Sequence, residues 1–235
     1  QPTFLKGVSL HEEPIGGDGG RRIEDADARA LLMEAKALGA NFVRLAHYPH
    51  NERTVRLADQ LGLLVWSEVP DYWEEIRYTN LKTLALARRM VREMIARDDN
   101  RASVVIWGIA NETPITPERN AFLETLIADV RAQDPTRLVS AALNKTTNEG
   151  AVFVIEDPLA AKLDLLAVNV YEGWYGRRTI DEVPSLEWRT PYDKPLIFSE
   201  FGADALAGHR GGRLERYTED HQAAYYKATL AMADK

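Results

Sequence analysis

The stretch Val104-Val105-Ile106-Trp107-Gly108-Ile109-Ala110-Asn111-Glu112 decides the architecture. Val104 to Trp107 is apolar without a break, too continuous for a strand with one face in water and suited to a strand covered on both faces. It then ends on an amide and a carboxylate. Outward from it, similar short β-branched or aromatic runs predict strands over 4–10, 41–46, 63–67, 138–143, 165–170 and 196–199, which with 103–110 makes seven.

Amphipathic segments separate these runs. Ile23, Ala26, Ala30 and Met33 to Leu38 recur at three- and four-residue steps, with Gly39 placed to end a helix, and Leu84, Ala87, Val91 and Met94 repeat the pattern. Asn51 is the expected N-cap of a helix reaching Leu61, with Gly62 behind it, and Pro117 suits the first turn of a helix carrying Phe122, Leu126 and Val130. A last helix is expected over roughly 217–232. Strand-helix alternation of this kind predicts an α/β fold: a (β/α)8 TIM barrel formed as one domain over 1–235, lacking its eighth strand within this chain. An open doubly wound sheet competes, but it calls for a glycine-rich phosphate turn after its first strand. Gly16, Gly17, Gly19 and Gly20 stand there among Pro14, Asp18 and Arg21-Arg22, and together they read as a polar surface loop.

Composition narrows the function. With 29 Lys+Arg against 36 Asp+Glu the net charge is −7 and the basic residues are scattered, which argues against nucleic acid as a partner. The absence of cysteine excludes disulfides, thiolate metal sites and thiol nucleophiles. No apolar run approaches the roughly 20 residues of a membrane span, so no membrane partner is expected. The chain begins at Gln1 rather than Met, so upstream residues are expected to have been removed; with no leader in view, the cytoplasm is the favoured compartment and secretion stays open.

In a barrel, chemistry collects where strands end at their C-terminal face. The predicted strands deliver His11 and Glu12, His47, Glu68, Asn111 and Glu112, Asn169 and Tyr171, and Glu200. Glu112 and Glu200 would face each other across the mouth. Cleavage of a glycoside needs such a pair, one carboxyl protonated to serve the leaving oxygen and the other ionised to attack the anomeric carbon. Asn111 is placed to bond a hydroxyl beside the reacting carbon.

These residues carry a resemblance. Trp107 to Glu112 resembles the acid/base segment of glycoside hydrolase family 2, and Ile197 to Asp204 its nucleophile segment. Leu5 to Glu12, Arg44 to Pro49 and Asn169 to Tyr175 match further signatures in the same order, so the resemblance spans nearly the whole chain. The Asn169-x-Tyr171-x-x-Trp174-Tyr175 pattern and the run from Glu200 to Gly208 are most similar to the β-glucuronidase branch. The resemblance implies a retaining exo-β-glycosidase acting on a carbohydrate or glycoconjugate, with Glu200 as nucleophile and Glu112 as acid/base, and no cofactor. It implies a sugar subsite lined by His47, Asn111, Asn169, Tyr171 and Asp204, with Tyr171 bonded to the nucleophile. His11, Trp174 and Tyr175 join them as substrate-binding candidates, the two aromatics stacking on sugar or facing the aglycone. The family's N-terminal β-sandwich domains, and the Asn-x-Lys motif that reads a sugar carboxylate beyond strand eight, are not among these residues. Arg177 and Arg178 are then the cationic candidates for that carboxylate.

Other readings stay open. His47 can cap its strand structurally, Trp174 and Tyr175 can be packed aromatics, and a metal held by His11, His47 and Glu68 is disfavoured by the absence of ligand spacing. The same chemistry on a β-galactoside or β-mannoside, and a non-catalytic barrel fragment closed by homo-oligomerisation, are the alternatives.

Overall fold

A computed structural model describes residues 3–14, 23–72, 76–147 and 150–234. The Gly16 to Arg22 loop expected from the sequence lies outside them. In chain order the elements are β1 (Gly7–Leu10), α1 (Asp25–Ala37), β2 (Phe42–Leu45), α2 (Glu52–Leu61), β3 (Leu64–Glu68), α3 (Leu81–Asp98), β4 (Val104–Asn111) and α4 (Pro117–Gln133). There follow β5 (Leu138–Leu143), β6 (Thr146–Thr147), β7 (Val152–Val154), β8 (Leu166–Asn169), β9 (Glu187–Arg189), β10 (Leu196–Glu200) and α5 (Glu219–Ala233). Short 3₁₀ turns occupy Pro158–Lys162 and Val183–Ser185.

Seven strands form one parallel sheet in the order β1-β2-β3-β4-β5-β8-β10. This sheet is a nearly closed barrel wrapped by the helices, a partial (β/α)8 barrel, as the alternation predicts. Its two edges approach each other, and Ser9 Oγ of β1 donates to the Ser199 carbonyl of β10 at 3.2 Å. All seven predicted strands are present. The first is shorter than 4–10: ahead of Gly7 the Asn41 side chain engages the chain, its Oδ1 accepting from Lys6 N and its Nδ2 donating to Phe4 O.

Local chemistry explains the helix ends. Asn51 caps α2 by accepting from Arg53 N at 3.0 Å, and Gly62 closes it at φ 68°, a left-handed conformation that a Cβ penalises. Thr116 caps α4 with Pro117 in its first turn. The large apolar core lies between sheet and helices, with Leu32, Val55, Trp107, Ile109, Leu126 and Val168 all buried. Inside the barrel a smaller cluster of Phe42, Trp66, Ile106, Leu165 and Ala167 fills the lower half, so the upper half is left for polar side chains.

A second sheet was not legible from periodicity. β6 and β7 pair antiparallel and β9 adds parallel to β7. Its Phe153 and Trp188 rings pack 5.0 Å apart, and Trp188 lies 5.1 Å from Phe198 of β10.

Candidate active site

The polar layer of the barrel is organised by Arg44, a β2 residue that the sequence reading passed over. Its side chain is only 2% exposed. Nε and Nη2 grip Glu68 at 3.0 and 3.1 Å, Nη1 donates to Glu200 Oε1 at 2.8 Å, and Nη2 donates to Asn111 Oδ1 at 2.8 Å. One guanidinium thus joins the ends of β2, β3, β4 and β10. A fixed fork of five donors suits this task better than a flexible ammonium would. Beneath it, Trp66 offers its ring face at 5.0 Å.

Glu68 is the second residue whose part was not foreseen. Burial pushes its carboxyl up, but Arg44 and His47 overcome that and hold it below the usual range. His47 Nδ1 lies 2.7 Å from Glu68 Oε1, and its Nε2 lies 3.5 Å from Glu200 Oε1. The Ala46–His47 peptide that presents this ring is cis. With Glu68 occupied in this way, the described residues contain no group of three or more His, Asp or Glu side chains able to hold a metal ion.

Glu200 receives two donors from opposite sides, Arg44 on Oε1 and the Tyr171 hydroxyl on Oε2 at 2.9 Å. The phenol is kept protonated, because burial and the Glu200 charge both raise its pKa. Asn169 Nδ2 donates to Asn111 Oδ1 at 3.0 Å, while Asn169 Oδ1 accepts from Ser199 Oγ at 2.8 Å. Asn111, Asn169, Tyr171, His47 and Glu200 therefore converge on one network. Behind it, α5 fixes the segments after β8 and β10: Tyr225 donates to the Val170 carbonyl at 2.8 Å, and Gln222 Nε2 to that of Ala203 at 2.8 Å.

The strand ends that deliver Glu112 and Glu200 are both irregular. The β4/β5 register shifts between Gly108 and Asn111, and the β10/β8 register between Phe198 and Glu200. Such bulges re-aim side chains, which is how Ser199 and Glu200, adjacent in sequence, both reach the network. At Glu112 the chain adopts φ 52°, a left-handed conformation that costs a non-glycine residue about 1–3 kcal/mol. It is held there by Glu112 N–H to Ala142 O at 2.9 Å and Asn111 N–H to Asp71 O at 2.8 Å. Among the described residues no ion pair ties down the Glu112 carboxylate, in contrast to Glu200.

The remaining candidates fall around this centre. His11 is exposed, its ring 5.5 Å from that of His47. Glu12 turns away to the start of α2, accepting from Asn51 N at 2.5 Å. Tyr175 is 74% exposed and lies 5.1 Å from the Tyr171 ring, so it presents an aromatic face at the mouth. Trp174 is 4% exposed, with Tyr217 and His221 at 5.4 and 5.7 Å, so its ring packs into the support of the loop. Asp204 is exposed and lies near the Tyr226 hydroxyl, whose pKa burial and this charge raise, rather than in the network. Arg177 is exposed, and Arg178 donates to the Gly150 carbonyl at 2.7 Å.

Residues 1–232 match the family described as glycosyl hydrolases family 2, TIM barrel domain. The chain belongs to glycoside hydrolase family 2. Curated relatives of this family 2 barrel include a β-glucuronidase of Streptococcus agalactiae, 31% identical over 100% of this chain and 42% of that protein. Another is the β-glucuronidase of Rattus norvegicus, 32% identical over 95% of this chain and 35% of that protein. The barrel thus spans well under half the length of these relatives. Among solved structures, a GH2 β-galacturonidase from Eisenbergiella tayi bound to galacturonate superposes with a TM-score of 0.84 at 26% identity, covering 98% of this chain and 41% of that one. A β-glucuronidase of Bifidobacterium dentium complexed with coumarin-3-O-glucuronide does so with a TM-score of 0.84 at 26% identity, covering 99% and 38%.

Proposed function

We propose that this barrel is the catalytic domain of a retaining exo-β-glycosidase that removes a terminal β-linked uronic acid, a glucuronide by preference. The observation that carries this reading is the unequal treatment of two carboxylates at one barrel mouth. Glu200 is charge-matched by Arg44 and oriented by Tyr171, as a nucleophile must be, whereas Glu112 stands on a strained turn with no ion pair among the described residues, as a group that gives and takes a proton must be. In the first displacement Glu200 attacks the anomeric carbon while Glu112 protonates the departing oxygen. In the second, Glu112 takes a proton from water as it releases the sugar from Glu200. Asn111 and Asn169 face the sugar hydroxyls, His47 and Tyr171 hold the reacting side, and His11 and Tyr175 border the opening.

The sugar assignment is supported by the relatives named β-glucuronidase and by the structures bound to galacturonate and to a glucuronide, which share a sugar carboxylate. Proton NMR of p-nitrophenyl β-D-glucuronide cleavage tests the mechanism, since the β-anomer is expected first and the α-anomer first would refute it. Comparison of kcat/KM for β-glucuronide, β-galacturonide, β-galactoside and β-mannoside tests the sugar. A neutral glycoside preferred more than about a hundredfold would overturn the uronic acid reading.

A further inference from the structure

Lys145 lies in the wall of the site, on the segment that joins β5 to β6. Its Nζ donates to the Asn169 carbonyl at 3.1 Å, lies 3.8 Å from Glu172 Oε1, and stands over the rings of Phe153 and Trp188 at 5.3 and 6.0 Å. The small sheet thus forms an aromatic bed beneath an ammonium. The end of β5 and this segment are pinned to the Glu112 turn at one point each, Glu112 N–H to Ala142 O at 2.9 Å and Asn144 Nδ2 to Thr113 O at 2.9 Å. Lys145 therefore sits between the Glu112 turn and the Asn169–Tyr171 segment that bonds Glu200.

Burial pulls the Lys145 ammonium below the usual lysine range, and the charges of Glu172 and Glu112 push back. Desolvating an ammonium is costly unless charges repay it, so this placement calls for a carboxylate in reach. Glu172 is shared with Arg178, whose Nε lies 3.6 Å from it and whose guanidinium stands over Phe153 at 5.6 Å. Glu112, on the other side, has no cation bonded to it among the described residues. The charged groups around Lys145 are thus Glu112 from the turn after β4 and Glu172 with Arg178 from the segment after β8, and Glu112 and Glu200 both act on Tyr171.

Resting on the reading of Glu112 as acid/base, we propose that Lys145 is its positioning residue. The ammonium steers the Glu112 carboxylate across the mouth, toward the water from which it takes a proton in the second displacement. It acts through Glu112 and need not touch the sugar.

The test uses Lys145→Gln, which keeps a donor for the Asn169 carbonyl but removes the charge, and Lys145→Arg, which keeps the charge. In Lys145→Gln kcat on activated aryl glycosides, limited by the second displacement, should fall more than kcat/KM, and Lys145→Arg should restore both. A readout independent of turnover is the ¹³Cε NMR titration of Lys145, whose midpoint should fall in Glu112→Gln because a charge that raises it is gone. A kcat that falls no more than kcat/KM in Lys145→Gln, or an unmoved Lys145 midpoint in Glu112→Gln, overturns the proposal. If the midpoint moves and no β-glycoside is cleaved, the coupling of Lys145 to Glu112 stands and the enzymatic reading fails. Should Lys145→Gln not fold by circular dichroism, the titration in Glu112→Gln decides.

Discussion

Arg44→Met removes the guanidinium at the centre of the network and keeps much of the side chain's length. In the parent protein Arg44 and Glu68 are each 2% exposed at the side chain and joined by two bonds of 3.0 and 3.1 Å. Breaking a buried ion pair by deleting one partner costs about 3–5 kcal/mol, since the other charge is left unmatched. For a domain of this size that lowers Tm by about 6–20 °C, at about 2–4 °C per kcal/mol. The loss is pH dependent. The depressed Glu68 pKa supplies stability that is present above its unfolded value and lost as pH falls through the folded value. In Arg44→Met burial is opposed by His47 alone, so the Glu68 pKa rises, and a proton relieves the unmatched charge as the pH falls. Urea unfolding followed by tryptophan fluorescence at pH 7.5 and pH 5 should show the larger deficit at pH 7.5. A deficit below about 1 kcal/mol at pH 7.5, the scale of an exposed pair, or equal deficits at both values, would refute this account of Arg44.

Tyr171→Phe deletes one donor to a charged oxygen, about 1.5–3 kcal/mol, and should lower kcat/KM about ten- to hundredfold; activity within twofold of the parent would show that the bond to Glu200 is idle. Gly108→Ala would place a Cβ 2.1 Å from Trp66 Nε1 and 2.5 Å from Glu68 Cβ, so a loss of about 1–3 kcal/mol or more is expected in thermal unfolding, and an unchanged Tm would contradict that packing. Asp71 borders an apolar hollow with Val69, Ile76, Met90 and Phe122, and burial raises its pKa from 3.8 to about 7 against the Tyr78 hydrogen bond. Its contribution is full below the unfolded pKa and lost as pH rises to about 7, a span of about 3 units or about 4 kcal/mol, so Asp71→Asn should be the more stable protein at pH 8 and lose that advantage near pH 4. Parallel stability curves for the two proteins would count against it.

The elements that could be read from the sequence are those whose signal is local. Asn51, Gly62 and Pro117 mark helix ends by capping and backbone geometry, and the apolar run before Gly108 states its own burial. Asn111, Asn169, Tyr171 and Glu200 were legible as polar residues where apolar runs stop, and the network contains them all. Arg44 was not, because a cation within the strand Phe42–Leu45 earns its place from acceptors on several other strands, none of them near in sequence. Lys145 was missed for the same reason: its bed, Phe153 and Trp188, comes from strands of three residues, too short to show a period. The bulges before Asn111 and Glu200 are equally silent, since register belongs to pairs of strands.

The central claim is that Glu200 forms a covalent bond to the sugar. A 2-deoxy-2-fluoro-β-glucuronyl fluoride should inactivate the protein by stalling the second displacement, and peptide mass spectrometry should then find the sugar on Glu200. Label on any other residue, or turnover with inversion and no covalent adduct, would contradict the account.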